Sequence, residues 1–150
     1  MVSTPSDIKL TVNKFIFKFP SGLRYSDSGL WVKPEEGLVR IGMSDFAQQR
    51  NGDIAFANFP DPGSFLKAGD EIASIETVKV NISLPSPLNG RIEKTNSLLE
   101  ESPELINQDP YGNGWIVILT ADEPEEIRRL LDAGAYARIV EQQAETELKA

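Results

Sequence analysis

Short apolar runs recur along this chain at close spacing, and proline or glycine turns separate them. The runs lie at residues 14–19, 31–32, 38–43, 53–59, 71–76, 78–84, 91–95 and 115–120. Short runs that alternate or are continuously apolar predict β-strands, and the turn residues between them predict chain reversals. Because 150 residues supply one core of ordinary size, we expect a single, mostly β chain, a sandwich or a barrel, with helices at its end.

Three segments carry helical signals, at residues 45–50, 98–106 and from about 123 onward. Ser44 precedes the first segment and is a favoured N-cap residue, and Asn51-Gly52 predicts its end. Pro103 is expected to break the second segment. Asp122 is positioned to cap the third, in which Gly134 predicts an interruption before a second helical run.

Residues 78–84 alternate between apolar and polar side chains. The apolar members are Val78, Val80, Ile82 and Leu84. A strand with this pattern directs one set of side chains to the core and the other to solvent. We therefore expect the four aliphatic side chains to be buried and Lys79 to point outward.

The residue inventory excludes several kinds of catalytic site. The chain has no histidine and no cysteine, so a Ser-His-Asp triad, a Cys-His pair, a His/Cys zinc site and a disulfide are all impossible. No spacing of carboxylates requires a catalytic pocket, and we predict neither catalytic residues nor a metal site. Any redox chemistry of this chain needs a reactive group supplied by a cofactor.

The charge balance also limits the partners. Lys and Arg number 15 and Asp and Glu number 23, which gives a net charge of −8. Such a chain repels phosphate backbones and anionic lipids, so we expect neither a nucleic acid nor a membrane as partner. No apolar stretch has the length of a bilayer span, and residues 1–10 resemble neither a signal nor a transit peptide. We expect a cytoplasmic monomer, or alternatively an organellar protein whose presequence has been removed.

Six segments, in this order, point to a family: IGMSDFAQ at 41–48, GDI at 52–54, ETVK at 76–79, SPLNG at 86–90, NQDPYGNGW at 107–115 and DAGAY at 132–136. Each is similar to a segment of the glycine cleavage system H proteins. Any one of these segments is a weak signal, but their common order and spacing make the resemblance specific. It covers residues 25–141.

The resemblance implies a fold that the turn rules do not supply. It implies a lipoyl-domain-like barrel-sandwich hybrid of two small antiparallel sheets, with short helices and a C-terminal helical segment from about residue 123. Residues 21–150 form a single lipoyl-type domain in this interpretation. Residues 1–20 are an N-terminal extension that includes the predicted strand at 14–19. Lys79 is expected at the tip of a hairpin, although residues 76–79 contain no Gly, Asn or Pro.

The resemblance also implies a function. The chain is expected to carry lipoate in amide linkage on Lys79 and to move a group or electrons between enzymes, without catalytic activity of its own. Glu76 corresponds to the position recognised by the lipoate-attaching enzyme. The implied partners are that enzyme and either glycine decarboxylase, aminomethyltransferase and dihydrolipoyl dehydrogenase, or another redox complex. The alternative is an H-like scaffold or protein-interaction module without lipoate, in which Lys79 is an ordinary surface lysine.

Two acids of the family pattern are missing, a Glu and an Asp that lie where the aminomethyl-loaded arm rests on the protein. Here Leu30 and Ser83 stand at those positions, while Ser28 is retained. These three residues are therefore the predicted arm pocket. A buried ammonium needs counter-charge, so the loss leaves two hypotheses open. Either Asp27 or Glu35 replaces the missing acids in a glycine cleavage protein, or the carrier serves a different cargo, such as a lipoate relay or a thiol–disulfide carrier.

Overall fold

The structure is a computed structural model that describes residues 7–148. The strands are β1 (Ile8–Val12), β2 (Phe15–Phe19), β3 (Arg24–Tyr25), β4 (Leu30–Glu35), β5 (Leu38–Met43), β6 (Ile54–Asn58), β7 (Phe65–Leu66), β8 (Glu71–Thr77), β9 (Asn81–Pro85), β10 (Gly90–Thr95) and β11 (Val117–Ala121). The helices are α1 (Asp45–Asn51), α2 (Leu98–Glu101), α3 (Leu105–Gln108) and α4 (Ala133–Leu148), and Pro124–Arg129 form a 3-10 helix.

Two antiparallel sheets enclose the main core. One has the strand order β3-β4-β5-β11-β10-β7, and the other has the order β6-β8-β9. Their facing side chains are buried aliphatics from both sheets, such as Ile41, Ile75, Ile92 and Leu119. This arrangement confirms the predicted mostly β fold of small antiparallel sheets with short helices and a C-terminal helix. It leaves the β8–β9 connection outside the core.

The first helix forms as its capping residues predict. Ser44 has extended backbone angles, and its hydroxyl accepts a hydrogen bond from the Ala47 N–H at 3.2 Å. Gly52 ends α1 with φ of +81°, a conformation that glycine adopts without a Cβ penalty. The result is a two-turn helix with fixed ends, which lies between the N-terminal strands and the β8–β9 turn.

The two N-terminal strands form a separate hairpin. β1 pairs with β2 in antiparallel register through a two-residue turn, in which Asn13 has φ of +56°. The hairpin buries Val12, Phe17 and Phe19 in a second core. The partners of these side chains there include Trp31, Phe46 and residues of α4. The first six residues of the predicted extension lie outside the described residues.

Side chains of the body hold the outer edge of β2 in place. The Lys18 N–H donates to Asp45 Oδ2 at 2.9 Å, and the Tyr111 hydroxyl donates to the Lys18 carbonyl oxygen at 2.6 Å. Gln49 Nε2 donates to the Ile16 carbonyl oxygen at 3.0 Å. An exposed strand edge is normally open to further pairing. This edge is instead paired with side-chain groups of α1 and of the loop that contains Tyr111.

The C-terminal segment differs from the prediction. Pro124–Arg129 form a 3-10 helix whose N-cap position is Glu123, with no capping side-chain hydrogen bond, so Asp122 does not cap it. Gly134 lies inside the first turn of α4 and interrupts nothing. Asp132 supplies the missing start signal, because its Oδ1 accepts the Ala135 N–H at 2.8 Å. No helix of the described residues is long and apolar enough to cross a membrane.

Candidate functional site

Lys79 lies in the short connection between β8 and β9. Glu76 and Asn81 are the last paired residues of the two strands, and the Thr77 N–H donates to the Val80 carbonyl oxygen at 2.9 Å. Lys79 therefore stands at the tip of a β-hairpin with its side chain exposed. None of the ion pairs formed by the described residues includes it.

The Thr77 side chain organises this turn. Its Oγ1 accepts the N–H of Lys79 at 3.2 Å and the N–H of Val80 at 3.1 Å, and it donates to the Val80 carbonyl oxygen at 3.1 Å. A threonine hydroxyl that binds the backbone two or three residues ahead is a known turn device. It explains how the chain reverses here without Gly, Asn or Pro, and it is the signal that the sequence analysis missed.

The turn also corrects the predicted burial of residues 78–84. Val78 and Val80 are exposed at 89% and 49% because the strand pairing has ended before they occur. Ile82 is half-buried and Leu84 is buried. The alternation therefore describes β9 correctly but fails in the turn, where the two valines flank Lys79 in solvent.

A groove of about 360 Å³ separates the turn from the end of α1. Residues 49–53 form one wall and residues 77–79 form the other. Arg50 is one of the residues that line this groove, and its side chain pairs with Glu147 of α4 at 2.7 Å. Asp53 contributes a carboxylate to the same groove. The lysine thus has a polar channel beside it, with charges of both signs.

A smaller cavity of about 70 Å³ lies next to this groove, and Arg50 and Asn51 line both. Its other walls include Asp27, Ser28 and Tyr136. Asp27 and Ser28 also line an open cleft of about 550 Å³ that reaches Ser86 and Pro87, beyond β9, and the 3-10 helix. The groove and the two cavities therefore adjoin one another through shared lining residues, between the Lys79 turn and the Ser28 region.

The three residues of the predicted arm pocket lie in different environments. Ser28 is exposed, and its hydroxyl hydrogen-bonds the Ser26 hydroxyl at 2.8 Å. Ser26 Oγ also accepts the Leu30 N–H at 3.1 Å, which fixes the turn that precedes β4. The Leu30 side chain is 1% exposed and belongs to the main core. Ser83 is exposed on β9 and is not among the residues that line either Ser28 cavity.

The two acids considered as replacements also differ in position. Asp27 is next to Ser28 and lines both of its cavities. Glu35 forms an ion pair with Arg40, with 2.6 Å between Oε1 and Nε, and these two residues line a separate cleft. Glu76 is half-buried on β8, where it pairs with Phe56 and Asn81. Asp27 is the acid of this set that lines the cavity next to the Lys79 groove.

Three tyrosines, of which Tyr25 and Tyr136 are buried and Tyr111 is half-buried, join elements of this part of the fold. Burial raises the pKa of Tyr136 to about 12, although its hydrogen bond with Ser44 Oγ at 2.9 Å lowers it in part. Burial likewise raises the pKa of Tyr25 and of Tyr111 well above the usual range. All three remain neutral near pH 7. They act as hydrogen-bonding parts of the frame rather than as bases.

Comparison with known proteins identifies the family. The family model for the glycine cleavage H-protein matches residues 23–143. The glycine cleavage system H protein of Pseudoalteromonas atlantica is 43% identical over 125 residues, which cover 83% of this chain and 97% of that protein. Its counterpart in Bacillus licheniformis is 40% identical over 123 residues, which cover 82% and 97%.

A solved structure agrees with these relatives. The crystal structure of a glycine cleavage system H protein from Mycobacterium marinum superposes with a TM-score of 0.73 at 28% identity, covering 84% of this chain and 99% of that one. The predictions of the family and of a carrier component rather than a catalyst are confirmed. The chain belongs to the glycine cleavage H-protein family of lipoyl carriers.

Proposed function

We propose that Lys79 is the lipoyl attachment site of this carrier. The exposed amine at the tip of an ordered hairpin carries this proposal, because an attaching enzyme reaches such a group without unfolding the domain. The turn is held by Thr77 rather than by Lys79, so the lysine side chain is free to be modified. The absence of an ion pair to it among the described residues agrees with this role.

The residues around Lys79 fit a lipoyl group. Attachment forms an amide between Nζ and the carboxyl carbon of lipoate, while that carbon loses the leaving group with which the attaching enzyme has activated it. Nζ gives up two protons, so the lysine loses its positive charge. Lipoate supplies the dithiol–disulfide chemistry that a chain without cysteine lacks. The groove along residues 49–53 offers the attached chain a wall beside the turn. Glu76, three residues before Lys79 and partly exposed, is the proposed recognition residue of the attaching enzyme.

The proposed role is the transfer of aminomethyl groups within the glycine cleavage system. Its partners would be glycine decarboxylase, aminomethyltransferase and dihydrolipoyl dehydrogenase, with lipoate as the covalent cofactor. An aminomethyl cargo is a cation, and its amine needs a counter-charge wherever water is excluded. Asp27 supports this role because it is next to Ser28 and lines the small cavity that adjoins the groove beside Lys79. It would take the place of the acids missing at positions 30 and 83.

A second candidate is a carrier for another cargo. The lack of acids at two positions of the predicted arm pocket favours it, since Leu30 is an apolar side chain buried in the core and Ser83 carries no charge. In this case the arm would move electrons or a sulfur-bound group, and Asp27 would have no part in binding the cargo. A non-lipoylated scaffold is the remaining alternative, and it requires Lys79 to stay unmodified.

Intact mass and peptide mapping of the protein from its own host test the attachment. We expect one lipoyl group on Lys79, none on Lys79→Arg, and normal lipoylation of Lys67→Arg, which changes another exposed turn lysine. An unmodified Lys79 in a lipoate-replete host would refute the proposal and favour the scaffold.

Glycine-dependent loading of the lipoylated protein distinguishes the two cargoes. We expect Asp27→Asn to lose about tenfold in kcat/KM or more, because a charge-assisted hydrogen bond contributes about 1.5–3 kcal/mol. Asp61→Asn, on a distant exposed turn, is the matched control. Equal loading of both variants would remove Asp27 from the site, and no loading of the unaltered protein would favour the second candidate.

A further inference from the structure

The outer face of the N-terminal hairpin is basic, although the whole chain is acidic. Its exposed residues are Lys9, Thr11, Ile16 and Lys18 on the strands and Lys14 in the turn, and together they are called the basic hairpin face. None of its lysines belongs to an ion pair of the described residues. Ile16 is 53% exposed on this face, whereas Phe15 points to the opposite face, where its ring stacks on Phe17 with centroids 6.3 Å apart. Three lysines and one large apolar side chain therefore share one face of a chain with net charge −8.

The register places two of these lysines directly across from each other. Lys9 pairs with Lys18. The Lys18 N–H and carbonyl groups bind Asp45 and Tyr111, outside the hairpin, so this is a non-hydrogen-bonded pair. Side chains are closest in such pairs, and like charges there are destabilising. A bound anionic group would relieve this repulsion.

The basic hairpin face lies close to the Lys79 turn. Gln49 of α1 donates a hydrogen bond to Ile16 in β2, and it also lines the groove beside Lys79. A single helix therefore separates the hairpin from the turn, and a helix with its side chains is about 10 Å wide. An enzyme that covers a standard interface of about 800 Å² around Lys79 would reach the hairpin as well.

We propose that the basic hairpin face docks an acidic surface of the enzyme that receives the Lys79 arm. This inference rests on the proposed attachment of lipoate to Lys79. The hairpin precedes residue 23, where the match to the family model begins, so it adds a contact that the matched segment does not contain. The contact would guide the arm to its enzyme and contribute to the choice among enzymes.

The charge distribution favours an acidic protein surface as the occupant. The surface outside the hairpin is acidic and repels an extended polyanion, such as a nucleic acid or an anionic membrane. A protein can instead present a few carboxylates opposite the hairpin and keep its other surfaces compatible with the acidic body. Complementary charges of this kind raise association rates and are sensitive to salt. Ile16 would add apolar contact between the lysines.

The test compares two triple variants of the lipoylated, full-length chain. One changes Lys9, Lys14 and Lys18 to Gln, and the control changes Lys33, Lys67 and Lys94 to Gln, which are exposed lysines outside the hairpin. Both remove three charges and create no new ones. Glycine-dependent loading by the host glycine decarboxylase is measured as kcat/KM at low and at high salt, and circular dichroism confirms that both variants are folded.

We expect the hairpin variant to lose about tenfold in kcat/KM at low salt and to lose most of its salt dependence, with kcat unchanged. The control variant should stay within about twofold of the unaltered chain, since electrostatic guidance depends on charges near the contact. Equal losses in the two variants would overturn the proposal, and so would failure of the enzyme to load the unaltered lipoylated chain. A dimer of the unaltered chain that the hairpin substitutions dissociate would identify a second copy as the occupant and also overturn it. Absence of lipoate from Lys79 would refute the proposed function instead, and mass measurement detects that case separately.

Discussion

Replacing Thr77 with Val should open the Lys79 turn while leaving the domain folded. Valine keeps the β-branched shape and replaces the hydroxyl by a methyl group, so the three hydrogen bonds of Oγ1 are lost and the rest of the strand is preserved. Thr77→Ser retains a hydroxyl at the same place and is the matched control.

The magnitude follows from the geometry of these bonds. They are 3.1–3.2 Å long and exposed, so each contributes near the low end of the usual range, about 0.5 kcal/mol. Together they contribute about 1–1.5 kcal/mol, which corresponds to a five- to tenfold change, roughly, in the population of the closed turn. The global free energy of unfolding should change little, because the turn contributes no side chain to either core.

Two measurements check this prediction. Amide hydrogen exchange at Lys79 and Val80 should accelerate by about five- to tenfold in Thr77→Val. The kcat/KM for lipoylation by the host attaching enzyme should fall by a similar factor, while Thr77→Ser remains near the unaltered protein. Unchanged exchange and unchanged lipoylation in Thr77→Val would show that the hydroxyl does not order the turn.

Three further predictions concern stability. Unfolded tyrosine ionises near pH 10, whereas folded Tyr136 keeps its proton until about pH 12. The free energy of unfolding should therefore fall between these pH values by up to about 1.4 kcal/mol per pH unit for each such tyrosine. Urea titrations should show a shallower fall in Tyr136→Phe, and equal slopes in the two proteins would contradict the raised pKa of Tyr136. Leu30→Glu buries an unpaired carboxylate in the main core and should lower the free energy of unfolding by about 3 kcal/mol or more. Leu30→Met should lower it by less than about 1.5 kcal/mol in the same urea titration. Gly90→Ala brings a Cβ to 2.5 Å from the Thr120 carbonyl oxygen and should lower Tm by about 4 °C or more, and a Tm within about 1 °C of the unaltered protein would contradict that contact.

The fold was predictable where side-chain pattern and local capping agree. Ser44 and Gly52 define α1 from both ends, and the structure has that helix within one residue of the prediction. β1 was missed even though Ile8, Leu10 and Val12 alternate with polar residues before Asn13. The strand prediction began only at the aromatic run that follows. A two-residue turn with Asn at its first position is the signal that links the two strands into a hairpin.

The candidate site was less predictable, because it depends on contacts between distant segments. The family pattern identified Lys79, but periodicity alone assigned residues 78 and 80 to a buried face. To predict the role of Thr77, one must know which backbone N–H and C=O groups are left without strand partners where β8 and β9 end. Asp27 lines the small cavity together with residues of α1 and α4, and the sequence alone does not show that these distant segments come together.

The hairpin has a further consequence for where this chain can be cut. The family model begins at residue 23, yet Phe17 and Phe19 from the preceding segment pack against Phe46 and Tyr136 inside the second core. A truncated chain that starts at the family boundary would lack Phe17 and Phe19 and would expose Phe46 and Tyr136 to water. We therefore expect such a fragment to aggregate or to require a substitute strand. The boundary of the family match is thus not the boundary at which we expect this chain to fold.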